Sequence, residues 1–148
     1  MDKKMFCYQC EQTVGCTGCT GNAGVCGKKA GTAKLQDELT AAISKSTSQV
    51  IIEGLFTTVT NVSFDDAAIE NMIQKVRAEK ERLVPGCSKC QSPCGKSDEY
   101  DMQQLWNADE DIRSLKSLIL FGIRGMAAYA YHANVLNYED AEVNRFFC

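Results

Sequence analysis

The chain has 148 residues, 45% of them hydrophobic and 24% charged, with a net charge of −3 at neutral pH. That length suffices for one domain with a core of its own, so disulfides are not needed to hold it together. The slight acidity leaves no basic footprint for nucleic acid, no stretch reaches the roughly 18 apolar residues of a membrane span, and the two lysines of "MDKKMFCYQC" lead into no apolar export signal. Neither a nucleic-acid nor a membrane partner is expected, and the expected location is cytoplasmic.

Residues 1–31 read as a loop. Gly15, Gly18, Gly21, Gly24, Gly27 and Gly31 punctuate it closely, and five cysteines, Cys7, Cys10, Cys16, Cys19 and Cys26, lie between them. Such a segment can wrap a small object. From Thr32, placed as the cap, Leu35, Leu39, Ala42 and Ile43 recur at helical spacing. The polar "SKSTSQ" at 44–49 predicts a break before a second stripe at Val50, Ile51, Leu55 and Val59.

Ser63 predicts the cap of a third helix, with acids in its first turn and a stripe at Ile69, Met72, Ile73, Val76 and Leu83. Pro85 and Gly86 stop it, and a connection follows that carries Cys87, Cys90 and Cys94. A long helix is predicted from Asp109, with Asp109, Glu110 and Asp111 as acids suited to its N-terminal dipole. It turns apolar nearly all round, which predicts a central buried helix in which Gly122 and Gly125 admit a neighbour. An exposed face over 118–135 would instead favour a homodimer. His132, the lone histidine, reads as a packed core residue rather than a ligand, and Trp106, Tyr129 and Tyr131 as core aromatics. A last helix carries Val143, Phe146 and Phe147 and has no terminating signal, so the chain reads as a fragment of something longer. No strand is predicted. The expected fold is all-α, a small bundle of three or more helices over 32–148 with a Gly/Cys-rich cluster-binding loop at 1–31.

Nine cysteines, eight of them in two short clusters, suit thiolate–metal chemistry better than disulfides in a reducing compartment. Cys7 and Cys10 form a C-x2-C pair able to grip one metal centre, followed by Cys19 and Cys26 at longer spacings. Those longer loops suit an iron–sulfur cluster. Cys16 and Cys19 make a second C-x2-C, which keeps a zinc site of Cys7, Cys10, Cys16 and Cys19 open. Inert or oxidised cysteines are the third alternative, and spacing does not decide among the three. Cys87, Cys90 and Cys94, with Cys148, have no assigned role.

"MFCYQCEQT", then "GCT", then "GVCGK" resembles the N-terminal signature of the hybrid cluster protein family, also called prismane proteins or hydroxylamine reductases. "LQDEL" at 35–39, "GLFTTVTNVSFDD" at 54–66 and "NADEDIRSLKSLILFGIRGMAAYAYHANVLNYED" at 107–140 extend the resemblance in the same order. Carried over, it implies Cys7, Cys10, Cys19 and Cys26 as ligands of a 4Fe–4S cluster rather than a 2Fe–2S cluster, with Cys16 as rival for the third place. It implies electron relay to a second, hybrid cluster held by later domains that this chain lacks. There an intact hydroxylamine reductase would reduce hydroxylamine to ammonia, or related nitrogen oxides such as nitric oxide. The chain alone is then not catalytic, and its partners are an electron donor protein and the missing C-terminal domains.

Overall fold

The computed structural model describes residues 5–10, 12, 18–59, 64–83, 104–105 and 107–147. The expectations for Cys16, Ser63, Pro85, Gly86, Cys87, Cys90, Cys94, Trp106 and Cys148 lie outside these residues. Among those described there are five helices and no sheet, an all-α bundle as expected.

Helix α1, Ala30–Ala42, begins two residues ahead of Thr32 and has Lys29 at its N-cap position. Thr32 is not the cap: it is buried, and its hydroxyl donates to Asp66 Oδ1 at 2.5 Å. The predicted break follows, with Lys45 in the left-handed region (φ 59°), before α2, Ser48–Thr57. These two helices meet at Gly54, where a Cβ would stand 2.6 Å from Ile43 Cγ2, so the contact requires the missing side chain. Val50, Ile52 and Leu55 of α2 are buried, whereas Val59 is exposed.

Helix α3, Asp66–Leu83, buries Ile69, Met72, Ile73 and Val76, the i, i+3, i+4, i+7 stripe that faces a core. Leu83, expected in that stripe, is exposed. The Asp65 carboxylate accepts from the Ala68 N–H and so caps the helix start.

Helix α4, Glu110–Val135, is capped by Asp109, whose carboxylate accepts from the Asp111 N–H. It ends in a Schellman turn: Asn137 takes φ 61°, its N–H bonds to Asn134 O at 3.0 Å, and the Tyr138 N–H reaches Ala133 O at 3.0 Å. Helix α5, Ala141–Phe146, starts at Asp140, whose carboxylate accepts from the N–H groups of Glu142 and Val143.

The expectation of a central buried α4 is corrected. Only Arg124 and Ala127 of this helix are buried, while Leu115, Leu118, Ile119 and Tyr129 are 60–83% exposed. The helix lies along α2 with one face and leaves the other uncovered by any described residue. Gly122 and Gly125 are exposed, with nothing within 4 Å of a Cβ built on either. His132 is likewise an exposed residue, edge-on to Phe56 at 5.1 Å, and Tyr131 stacks on the same ring at 4.2 Å. The core proper joins Leu39, Ala42 and Ile43 to the buried faces of α2 and α3, with Ala127 and Phe147 closing it; Phe146 points out.

Candidate metal centre

The cysteine loop is shaped by two short antiparallel pairings. Residues 5–7 run against 19–21, with Met5 N–H bonded to Gly21 O at 3.0 Å and Cys7 and Cys19 exchanging both backbone bonds at 3.0 and 2.8 Å. Residues that face each other across such a pair project their side chains to the same side. Cys7 and Cys19 are thereby brought together by backbone alone. The strands approach so closely that a Cβ at Gly18 would lie 2.8 Å from Cys7 O.

The second pairing is a hairpin closed by Ala23 and Lys29. The Gly24 N–H bonds to Lys28 O at 2.8 Å and the Gly27 N–H to Gly24 O at 2.8 Å, leaving a three-residue loop of Val25, Cys26 and Gly27. Gly27 takes φ +86°, the left-handed position that ends such loops. Cys26 is therefore presented at an exposed tip. A Cβ at Gly24 would meet Met5 Cε at 3.3 Å and Cys26 Sγ at 3.4 Å, so the tip folds back toward the first pairing.

None of Cys7, Cys10, Cys19 and Cys26 is in a disulfide. Cys7 is buried, Cys19 half-buried, Cys10 and Cys26 exposed. Burial pushes the Cys7 thiol up; the Gln9 backbone N–H and the Lys28 ammonium act against this. Among the described residues no three Cys, His, Asp or Glu side chains gather at ligating range, so the structure joins Cys7 to Cys19 without drawing Cys10 and Cys26 into the same cage. The donor set is nonetheless all thiol, the type that suits iron–sulfur clusters or zinc.

Beneath the loop lies a polar cluster that sequence reasoning passed over. Lys28 is buried, and its ammonium donates to Gln36 Oε1 at 2.5 Å while sitting 5.7 Å from the Phe64 ring centroid. The Arg124 guanidinium donates to Gln9 O at 3.3 Å, to Gln9 Oε1 and to Thr40 Oγ1 at 3.3 Å. The Gln9 amide in turn donates to Asp37 Oδ1. Burial raises the Asp37 carboxyl to about 6, against the Gln9 hydrogen bond and the nearby Arg124 and Lys28 charges. Burial also pulls the Arg124 guanidinium down to about 10, so it stays charged at neutral pH. The available signal was Arg124 itself, a lone charge within the apolar run "LILFGIRGMAAYAY".

The described residues thus form a helical bundle whose N-terminal segment pairs two thiols over a buried polar cluster. The chain belongs to the Prismane/CO dehydrogenase family, whose model matches residues 5–148. It is similar to the hydroxylamine reductase of Porphyromonas gingivalis (37% identity over 178 residues, 99% of this chain and 32% of the relative). The hydroxylamine reductases of Methanococcus vannielii (36%, 96% of this chain and 32% of the relative) and Chlorobaculum tepidum (38%, 97% and 31%) are similar to a like degree. The chain spans about a third of the length of these curated relatives. The 178 aligned positions exceed its 148 residues, so the first relative carries sequence within this region that the chain lacks. No solved structure matches it. Among the described residues no helix is long and apolar enough to cross a membrane.

Proposed function

We propose that this chain is the electron-relay region of a hydroxylamine reductase, with Cys7, Cys10, Cys19 and Cys26 as thiolate ligands of a 4Fe–4S cluster. The observation that carries the reading is the Cys7–Cys19 pair, two thiols set on one side of a backbone ladder. When bound, such a cluster supplies one-electron transfer at a potential that its surroundings tune. The chain's own residues do the rest. Cys7 and Cys19 anchor from the inner ladder, and Cys26 and Cys10 close from the hairpin tip and the C-x2-C turn. Lys28 places a buried positive charge behind them.

On this reading the reduction of hydroxylamine, with related nitric oxide reduction, belongs to a second, hybrid cluster in parts of the longer relatives that this chain does not span. Its partners are an electron donor protein and those further domains. The exposed apolar face of α4 is the surface on which a homodimer would form. A zinc-stabilised helical module without redox activity is the competing outcome.

Cys19→Ser and Cys16→Ser, prepared without oxygen beside the wild type, separate the two. Loss of iron and sulfide on changing Cys19, with retention on changing Cys16, is the expected pattern. Stoichiometric zinc without sulfide, lost on changing either cysteine, would replace the relay by the zinc module.

A further inference from the structure

Arg124 is 2% exposed, sits on α4 far from the cysteine loop in sequence, and reaches across to that loop. It grips Gln9 twice, at the backbone carbonyl and at the side-chain oxygen. Gln9 lies inside the C-x2-C turn between Cys7 and Cys10. Thr40 of α1 takes a further guanidinium bond, and Asp37 of the same helix holds the Gln9 amide from the opposite side. Two helices that are distant in the chain, α1 and α4, thus converge on one residue of the turn.

Fold stability alone does not account for this arrangement. The Arg124 Nε–H is buried and has no acceptor among the described residues, and a buried guanidinium loses its hydration. An apolar side chain of similar volume commonly serves a helix interface as well or better. The charged groups facing the turn are Lys28, Arg124 and Asp37, two positive and one negative, with the Tyr8 hydroxyl also near Arg124.

We propose that Arg124 is a positioning residue for the metal centre: its two-point grip on Gln9 fixes the C-x2-C turn that carries Cys7 and Cys10, and its charge stabilises the more reduced state of the bound centre. Asp37, pulling on the same glutamine with the opposite charge, works against it. The inference rests on Cys7, Cys10, Cys19 and Cys26 being cluster ligands.

The test is a redox titration of the anaerobically reconstituted chain as wild type, Arg124→Met, Arg124→Lys and Asp37→Asn, with far-ultraviolet circular dichroism and iron content measured on each. For Arg124→Met the ratio of reduced to oxidised centre at fixed potential should fall about tenfold, a drop of about 59 mV for a one-electron couple. Arg124→Lys, which keeps the charge but not the planar fork, should stay within about threefold of wild type while holding iron less firmly. Asp37→Asn should shift the ratio the opposite way. A folded, iron-loaded Arg124→Met at the wild-type potential would overturn the proposal, as would a lysine variant no closer to wild type than methionine. Should the methionine variant not fold, Asp37→Asn decides: an unchanged or lowered potential overturns the proposal, and a raised one supports it. A wild-type chain that takes up no iron and sulfide overturns the ligand assignment itself, and the proposal with it, before any variant is compared.

Discussion

Gly27 shows how much a single residue can carry. Its φ of +86° ends the loop that presents Cys26, and a Cβ there would meet no neighbour, so any cost of substitution comes from backbone conformation alone. Gly27→Ala should destabilise the chain by about 1–2 kcal/mol in urea unfolding. Asn137→Gly, at the left-handed end of α4, should move the other way by a few tenths of a kcal/mol or more. Asp37 gives a pH signature. Its carboxyl is raised from 3.8 to about 6, so the folded chain holds this proton more tightly than the unfolded chain does. The resulting stabilisation is complete below pH 3.8 and is lost as pH rises toward 6, on the order of 3 kcal/mol. Urea midpoints measured across that window should lose this slope in Asp37→Asn, and an equal slope in the variant would show that Asp37 is not the group responsible.

At the scale of helices, the stripe of α3 and the capping acids at Asp109 were legible because local signals and burial agree there. Helix α4 was found with its start correctly placed, yet its surroundings were misjudged. An all-round apolar helix is compatible both with burial and with an uncovered face, and periodicity does not separate the two. The same limit explains His132: its apolar neighbours in sequence are on a helix whose outer face is open. Gly122 and Gly125 drew attention as close-approach glycines, while the residue that serves this purpose is Gly54, inside a pattern that read as ordinary helix. Gly54→Ala should cost about 1–3 kcal/mol, because Ile43 must move away, less the gain in helix propensity of about 1. Leu118→Ala should change stability by less than about 0.5 kcal/mol, whereas Leu39→Ala, fully buried, should cost about 2–5. Thermal melts of the three variants side by side test the placement of α4: a cost at Leu118 comparable to that at Leu39 would contradict it.

For the whole molecule, the chain is a bundle with a two-pairing cysteine loop docked on one side through Lys28, Gln36, Asp37, Gln9 and Arg124. The cysteines marked the candidate site by spacing and by resemblance to a known signature, since they recur within a short segment. The polar cluster beneath them did not, because its members come from the loop, α1 and α4 and meet only in the folded chain. Iron and acid-labile sulfide per chain, determined together with zinc on protein purified without oxygen, test the central claim most directly. The expected result is about four iron and four sulfide with no zinc, as for a thiolate-held cubane. One zinc per chain without sulfide, or a metal-free chain that stays empty on reconstitution, would contradict it.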